Sequence, residues 1–218
     1  PPNQELITYM QALCGYLLTG DVSAEKMWIF AGEGANGKST FCNVVRRILG
    51  DYAIQIDPAI LMDHGQDKGS PTAMSRKAVL QGVRAAFASE TGTGEKLSSA
   101  LAKQLASDEP IQAKHMCKNP FSFHPTHKLV MLTNQEPATD DTGHGAMRRL
   151  VIIRWPHRVS DTERVDGLAD KLFNEEATGI LHWMLEGVKL WRAGYLKDDK
   201  EPDCIRVKRD KYRKDHDW

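Results

Sequence analysis

The sequence predicts an α/β fold with a central, mostly parallel sheet, and three observations support this prediction. Residues 27–31 are an apolar run that reads as a buried strand, and the helical pattern of residues 41–49 follows after a glycine-rich turn. Three more apolar runs have the length and composition of strands: residues 83–88, 127–134 and 150–155. Apolar residues at helical spacing flank this core at residues 4–18 and 165–195.

The turn between the first strand and its helix matches the pattern G-x-x-x-x-G-K-[ST] at every fixed position. Its glycines let backbone N–H groups turn inward on a poly-anion, while Lys38 reaches the outer phosphates and Ser39 offers a hydroxyl to Mg²⁺. A chance match is the alternative, but strand, loop and helix stand in the order that an anion site needs. We therefore predict a site for a nucleoside triphosphate and Mg²⁺ made by Gly32, Glu33, Gly34, Ala35, Asn36, Gly37, Lys38, Ser39 and Thr40.

The composition is that of an ordinary soluble globular protein, with 41% hydrophobic and 27% charged residues among 218. Basic and acidic residues balance at 29 each, so any nucleic-acid binding must use a local patch. Four cysteines without a C-x-x-C pair suit a reducing compartment, and no apolar run reaches membrane-spanning length. We expect a fragment of a longer protein, since the chain begins at Pro1 without a methionine. Because the sequence shows no signal peptide, we expect it in the cytoplasm, that of a bacterial host.

Two polar residues end predicted strands and are candidate catalytic groups. Glu90 follows the run 83–88, where an acid that polarises the attacking water is expected; the alternative is that it caps the next turn. Because residue 89 is serine, Mg²⁺ is left to Ser39, Glu90 and water. Asn134 ends the clearest strand and could hold the attacking water or the terminal phosphate, although asparagine is also common where strands turn.

Two arginines follow the polar, glycine-containing segment 140–145, just before the last predicted strand. Arg148 and Arg149 could stabilise charge on the transferred phosphoryl group as arginine fingers. The alternative is an ordinary pair of surface cations.

Residues 108–121 outline a hairpin with a basic tip. Long cationic side chains on a projecting hairpin can follow a phosphate backbone, while the alternative is a solvated surface turn. The candidate DNA-binding residues are Lys114, His115 and Lys118. Zinc is disfavoured because Cys117, His124 and His127 are too few ligands and match no known spacing.

The sequence divides into four parts by composition: an N-terminal linking helix at residues 1–20, a core at 21–160, a helical lid at 161–197 and a basic tail at 198–218. We expect Gly179 to break the lid helix. The charge run of the tail is typical of a solvated helix or linker, more than of a DNA contact.

The order of these segments resembles that of the superfamily 3 helicases, in particular the helicase domain of phage and plasmid primase-helicases related to the poxvirus replicative helicase. The stretches that carry the resemblance are residues 15–21, 32–40, 82–90, 103–114, 128–134, 147–149 and 179–183. It implies an AAA+-like P-loop ATPase core with an N-terminal helix and a C-terminal helical lid. It also implies a homo-hexameric ring with nucleotide between subunits.

The resemblance also implies roles for individual residues. Lys38 and Ser39 would be the phosphate and magnesium ligands, Glu90 the catalytic acid, Asn134 the polar sensor, and Arg149 or Arg148 the finger in a neighbour's site. The pair Lys114-His115 is similar to the Lys-His pair on the channel hairpin of viral origin-binding helicases.

The implied function is an ATP-dependent replicative DNA helicase that moves 3′ to 5′ on single-stranded and forked DNA. A linked or associated primase or polymerase is the expected partner. Two alternatives stay open, namely a replisome assembly or loading factor that does not unwind DNA, and a protein-remodelling ring ATPase.

Overall fold

The computed structural model describes residues 3–62, 70–89, 96–139 and 143–216. The helices are α1 Gln4–Leu17, α2 Lys38–Leu49, α3 Pro71–Ala78, α4 Ser99–Leu105, α5 His144–Met147, α6 Leu168–Arg192 and α7 Asp203–His216. The strands are β1 Met27–Ala31, β2 Ala53–Ile56, β3 Ala85–Ser89, β4 Lys96–Leu97, β5 Ile111–Lys114, β6 Pro120–Phe123, β7 Lys128–Thr133, β8 Ala138–Thr139 and β9 Leu150–Arg154.

Five strands form a central parallel sheet in the order β2-β3-β7-β1-β9, which confirms the predicted α/β fold class. Every residue of β1 and β7 is buried, as expected for central strands of a parallel sheet covered on both faces. The sequence did not predict β2, because this short edge strand is mostly half-buried and lacks a continuous apolar run. Since β7 pairs with both β1 and β3, it separates the two strands along the sheet.

Alternate residues of the sheet enter two separate cores. Trp28 and Phe30 pack with α1, α2 and α6 on one face. Met27 and Ile29 pack on the other face with residues of α3, α4, α5, α7 and the β5–β6 hairpin. The period-two pattern of β1 therefore sets up a three-layer arrangement with helices on both sides of the sheet.

Helix α6 crosses α1 at two glycines. A Cβ on Gly187 would lie 2.0 Å from the carbonyl oxygen of Gln11, and one on Gly15 would lie 2.2 Å from the backbone of Gly187. The two backbones therefore touch directly. The predicted break at Gly179 is wrong, because α6 runs through that residue without interruption. A single glycine costs a helix only about 1 kcal/mol, and packing against α1 and α2 offsets it.

The basic tail forms a helix with mostly exposed charged residues, as its charge run indicated, but this helix is also docked on the core. Helix α7 buries Ile205 and Tyr212, and the Tyr212 hydroxyl donates to the carbonyl oxygen of Pro137. Two apolar anchors on an otherwise charged helix were too sparse to outweigh the charge run in the sequence.

Among the described residues, none of the helices combines the length and apolar character needed to cross a membrane.

Candidate functional site

The predicted phosphate-binding loop joins β1 to the first turn of α2. Gly37 is the N-cap of α2, with φ of 84°, a left-handed conformation that glycine adopts without strain. No side chain at this position caps the backbone N–H groups of the first turn. The first turn of α2 carries no acidic residue. The positive end of the helix dipole is therefore left to an anion, which fits the predicted binding of a phosphate chain.

A short segment after β9 holds the loop in place; we call residues 155–159 the strap. The side-chain amide of Asn36 donates to the carbonyl oxygen of Trp155 at 3.1 Å, and the backbone N–H of Val159 donates to the carbonyl oxygen of Ala35 at 2.7 Å. A Cβ on Gly32 would lie 2.3 Å from the same Trp155 oxygen, so only glycine fits there. Sequence reasoning missed the strap, because backbone pairing between distant segments leaves no residue pattern.

Lys38 is buried and its side chain folds back over the loop. Its ammonium donates to the carbonyl oxygen of Gly32 and, at 3.1 Å, to Oδ1 of Asn36. The cation is therefore held within the loop, as the predicted contact with phosphate oxygens requires. Ser39 at the start of α2 is exposed, so its hydroxyl is accessible to a ligand.

The carboxyl ends of β3, β7 and β1 lie along one edge of the sheet, beside the loop. Ala31 is paired with Thr133 and Ser89 with Leu132, so the three strands end almost level. Asn134 follows β7 directly and is exposed at this edge. The structure thus brings Asn134 to the edge that carries Lys38, whereas Glu90 lies outside the described residues. The Ser89 hydroxyl accepts a 3.0 Å hydrogen bond from the Gln55 amide of β2, a neighbour that the sequence did not reveal.

No group of three metal-binding side chains gathers within the described ranges. That finding does not test the predicted Mg²⁺ site. It concerns only His, Cys, Asp and Glu side chains, whereas the predicted ligands are the Ser39 hydroxyl and Glu90, which lies outside the described residues. His127 is buried, and burial lowers its pKa to about 4. It is therefore a neutral core residue, in contrast to the exposed Cys117 and His124.

The two arginines predicted as fingers lie at the opposite side of the sheet from the loop, where the parallel strands begin. Leu150 of β9 is paired with Met27 at the start of β1, and Arg154 is paired with Ala31 at its end. The start of β9 is thus separated from the loop by about 13 Å of extended chain. Arg148 and Arg149 directly precede this strand and border a cavity of about 360 Å³. Residues 23–26, just before β1, and residues at and after the end of α6 line the rest of it. Neither arginine is brought to the phosphate loop of its own chain.

The predicted basic hairpin is present as the antiparallel pair β5 and β6, with Lys114 opposite Pro120. The His115 ring stacks on Phe121, with centroids 5.0 Å apart and planes 19° from parallel. Met116 at the tip is 83% exposed, and Lys118 is exposed beside it. The hairpin therefore presents cations, a fixed imidazole and an apolar side chain together.

A second group of charges at the carboxyl edge was not found from the sequence. Oε1 of Glu136 forms two ion pairs, with Nη1 of Arg154 at 2.7 Å and with Nζ of Lys208 of α7 at 2.6 Å. Partial burial opposes ionisation of Glu136, but the hydrogen bonds from Lys208 and Arg154 lower its pKa below the usual value. These ion pairs link the segment after Asn134 to α7.

The chain is similar in sequence to proteins of two viruses and a virophage. The protein named "Putative helicase L207/L206" of Acanthamoeba polyphaga mimivirus is 28% identical over 152 residues, covering 70% of this chain and 16% of that protein. "Putative primase C962R" of African swine fever virus is 27% identical over 125 residues, 57% of this chain and 13% of the relative. "Putative helicase V13" of Sputnik virophage is 24% identical over 186 residues, 79% of this chain and 24% of the relative. The chain therefore spans about a quarter or less of the length of these relatives.

The fold is shared with a solved protein. The apo A form of the NrS-1 C-terminal region aligns with a TM-score of 0.67 at 13% identity, over 96% of this chain and 47% of that one. At this identity the likeness shows the fold alone. A family model described as a family of unknown function, DUF5906, matches residues 30–149, a span that includes the phosphate loop, the hairpin and both arginines. Because the match covers more than half of the sequence, this chain belongs to the DUF5906 family.

Proposed function

We propose that this chain is the ATP-hydrolysing motor of a replicative DNA helicase of the superfamily 3 type. The observation that carries the proposal is the predicted phosphate loop at the carboxyl edge of the sheet, with Asn134 beside it, directly after the strand that separates β1 from β3. The names of the relatives, two helicases and a primase, support a role in DNA replication.

In the proposed site Lys38 would bind the outer phosphates of ATP, and the Ser39 hydroxyl together with Glu90 and water would hold Mg²⁺. Bound Mg²⁺ supplies positive charge that offsets the charge of the phosphate oxygens. Glu90 accepts a proton from the attacking water, and Asn134 orients that water by hydrogen bonding. The strap keeps the loop in the shape that these contacts need.

The position of the arginines supports a ring. A finger must contact the transferred phosphoryl group, yet Arg148 and Arg149 lie at the edge of the sheet away from the loop. They can serve only the site of a neighbouring subunit, which is the arrangement of a head-to-tail closed assembly. We therefore propose a homo-hexamer with nucleotide at each subunit interface.

The hairpin supports DNA as the substrate. The whole chain carries no net charge, so a local patch must attract the phosphate backbone. Lys114, His115 and Lys118 supply such a patch on the β5–β6 hairpin. In a ring, six such hairpins would hold single-stranded DNA and move it, in the 3′ to 5′ direction, as ATP is hydrolysed.

The first test is ATP turnover over a protein concentration series, with and without single-stranded DNA, while particle mass is measured in parallel. We expect turnover to rise with assembly and with DNA, and Lys38→Ala to abolish it. Turnover that Lys38→Ala leaves unchanged would overturn the assignment of the site. Stimulation by an unfolded protein instead of DNA would favour a protein-remodelling ATPase.

The second test is strand separation on forked duplexes with a single 3′ or 5′ arm. We expect unwinding of the fork that offers a 3′ arm, and none by Lys38→Ala. Hydrolysis and DNA binding without unwinding of either fork would indicate an assembly or loading factor.

A further inference from the structure

The two arginines that precede β9 have different surroundings. The Arg149 side chain is 8% exposed, and its Nη1 lies 2.8 Å from Oε2 of Glu25. The backbone carbonyl of Arg149 also accepts the N–H of Met27 at 2.7 Å, which fixes the residue to the start of β1. Arg148 is exposed on the rim of the adjacent cavity. Arg149 is therefore built into the fold, and Arg148 faces outward.

Glu25 adopts a conformation that is unusual for its residue type. Its φ is 49°, in the left-handed region that non-glycine residues enter at a cost of about 1 kcal/mol or more. Both neighbours are held: the Ala24 N–H donates to the Tyr16 hydroxyl at 3.1 Å, and the Lys26 ammonium donates to the carbonyl oxygen of Leu196 at 2.8 Å. The surrounding structure thus holds the Glu25 carboxylate against Arg149.

The other acids near the cavity already have partners. Asp198 lies 2.7 Å from Lys26, and Glu201 lies 2.7 Å from Arg209 of α7. Partial burial alone would raise the pKa of Asp198, but Lys26, Arg209 and Arg148 together lower it, so this acid stays ionised. Glu25 is the acid that faces Arg149.

If Arg149 were to bind a neighbour's phosphate, it would have to leave Glu25. That movement would expose a fixed carboxylate to a triphosphate, and like charges at such range repel. Arg148 is exposed, and the acid whose pKa it lowers, Asp198, is already paired with Lys26, so Arg148 can move without leaving a carboxylate unpaired. Resting on the proposed function, we propose that Arg148 is the finger that reaches the neighbouring subunit's ATP, and that the Glu25–Arg149 ion pair positions it.

Two variants distinguish the roles of the two arginines. Arg148→Ala removes the proposed finger at an exposed position. The double variant Glu25→Gln/Arg149→Met removes the ion pair without leaving one buried charge unpaired, a replacement that is often nearly neutral for stability. We expect Arg148→Ala to lower ATP turnover roughly 10³-fold, as the loss of an arginine finger does. The double variant should stay within roughly 10-fold of wild type, because it disturbs only the positioning of Arg148.

Mixing experiments show whether each effect acts across an interface. Lys38→Ala subunits have an inactive site but an intact finger, so adding them to Arg148→Ala subunits should restore turnover at mixed interfaces. The double variant should also gain from Lys38→Ala subunits, because they supply a correctly held Arg148; a merely structural defect in its own site would not be repaired. Thermal melting of each variant is measured alongside, with Glu175→Gln, an exposed substitution on α6, as the matched control.

The results that overturn the inference differ from those that overturn the proposed function. Full turnover by Arg148→Ala would overturn the inference alone, whether or not the double variant folds. A loss of turnover by the double variant that exceeds the loss by Arg148→Ala, and that Lys38→Ala subunits repair, would assign the finger to Arg149 instead. A loss by the double variant that Lys38→Ala subunits do not repair would overturn the positioning role of the ion pair. Wild-type turnover that does not depend on assembly would overturn the ring, and this inference with it.

Discussion

Gly32 is the position at which the shape of the phosphate loop can be tested most directly. In Gly32→Ala the new Cβ would lie 2.3 Å from the Trp155 carbonyl oxygen and 2.7 Å from Nδ2 of Asn36. The strap must withdraw by about 1 Å to reach ordinary contact. We expect a cost of about 1–3 kcal/mol for overpacking and about 1 kcal/mol for the lost Asn36–Trp155 hydrogen bond. For a chain of this size that corresponds to a fall in melting temperature of roughly 5–15 °C.

Gly34→Ala is the matched control in the same loop, because a Cβ there meets no atom within 4 Å. It should keep the melting temperature within about 2 °C of wild type, since exposed substitutions change stability by about 0.5 kcal/mol or less. Melting is followed by circular dichroism, and nucleotide affinity by titration with a fluorescent ATP analogue. Gly32→Ala should lose both stability and affinity, whereas Gly34→Ala can lose affinity only. A Gly32→Ala protein that melts like wild type would refute the close packing of loop and strap.

Three further predictions concern the helix crossing, a buried lysine and the hairpin. Gly187→Ala should lower the melting temperature, because its Cβ would lie 2.0 Å from a backbone oxygen of α1, whereas Gly179→Ala should raise it through a helix propensity gain of about 1 kcal/mol; equal melting of the two would contradict the crossing. Burial lowers the pKa of Lys128 to about 7, so between pH 7 and 10 the unfolded chain binds a proton that the folded protein lacks. Stability should rise with pH in that window by up to about 1.4 kcal/mol per unit, relative to Lys128→Met, when measured by urea unfolding; parallel curves for the two proteins would contradict this. Phe121→Leu removes the ring that holds His115 and should weaken single-stranded DNA binding with an unchanged salt dependence, whereas Lys118→Ala should reduce the salt slope by about 1; the reverse pattern would remove stacking from the explanation.

The sequence predicted the fold well where local pattern is strong. Strands β1, β7 and β9 and helices α1 and α2 were found within a few residues of their observed ends, because each combines a continuous or periodic apolar pattern with a clear stop. It failed at β2, where the edge of the sheet demands little apolar surface, and at Gly179, where packing overrides a local preference. It also missed the docking of α7, which rests on Ile205 and Tyr212 within a run of charges.

The site divides in the same way. The loop between β1 and α2 and the β5–β6 hairpin could be predicted as local structures, because each depends on residue types at short spacing. Their binding of phosphate and of DNA stays a prediction. The strap, the ion pair of Glu25 with Arg149 and the ion pairs of Glu136 could not be predicted. Their partners are far apart in the chain, and nothing local marks them.

The sequence by itself determined which chemistry the chain can offer, since a phosphate loop, candidate acids, arginines and a basic tip are properties of residue types and their spacing. Only the tertiary structure decided where these groups stand. The sheet order places Asn134 beside the loop and both arginines at the far edge, because parallel strands bring their carboxyl ends to one side and their amino ends to the other. Burial then separates Arg149 from Arg148, a distinction that two adjacent identical residues cannot carry in sequence.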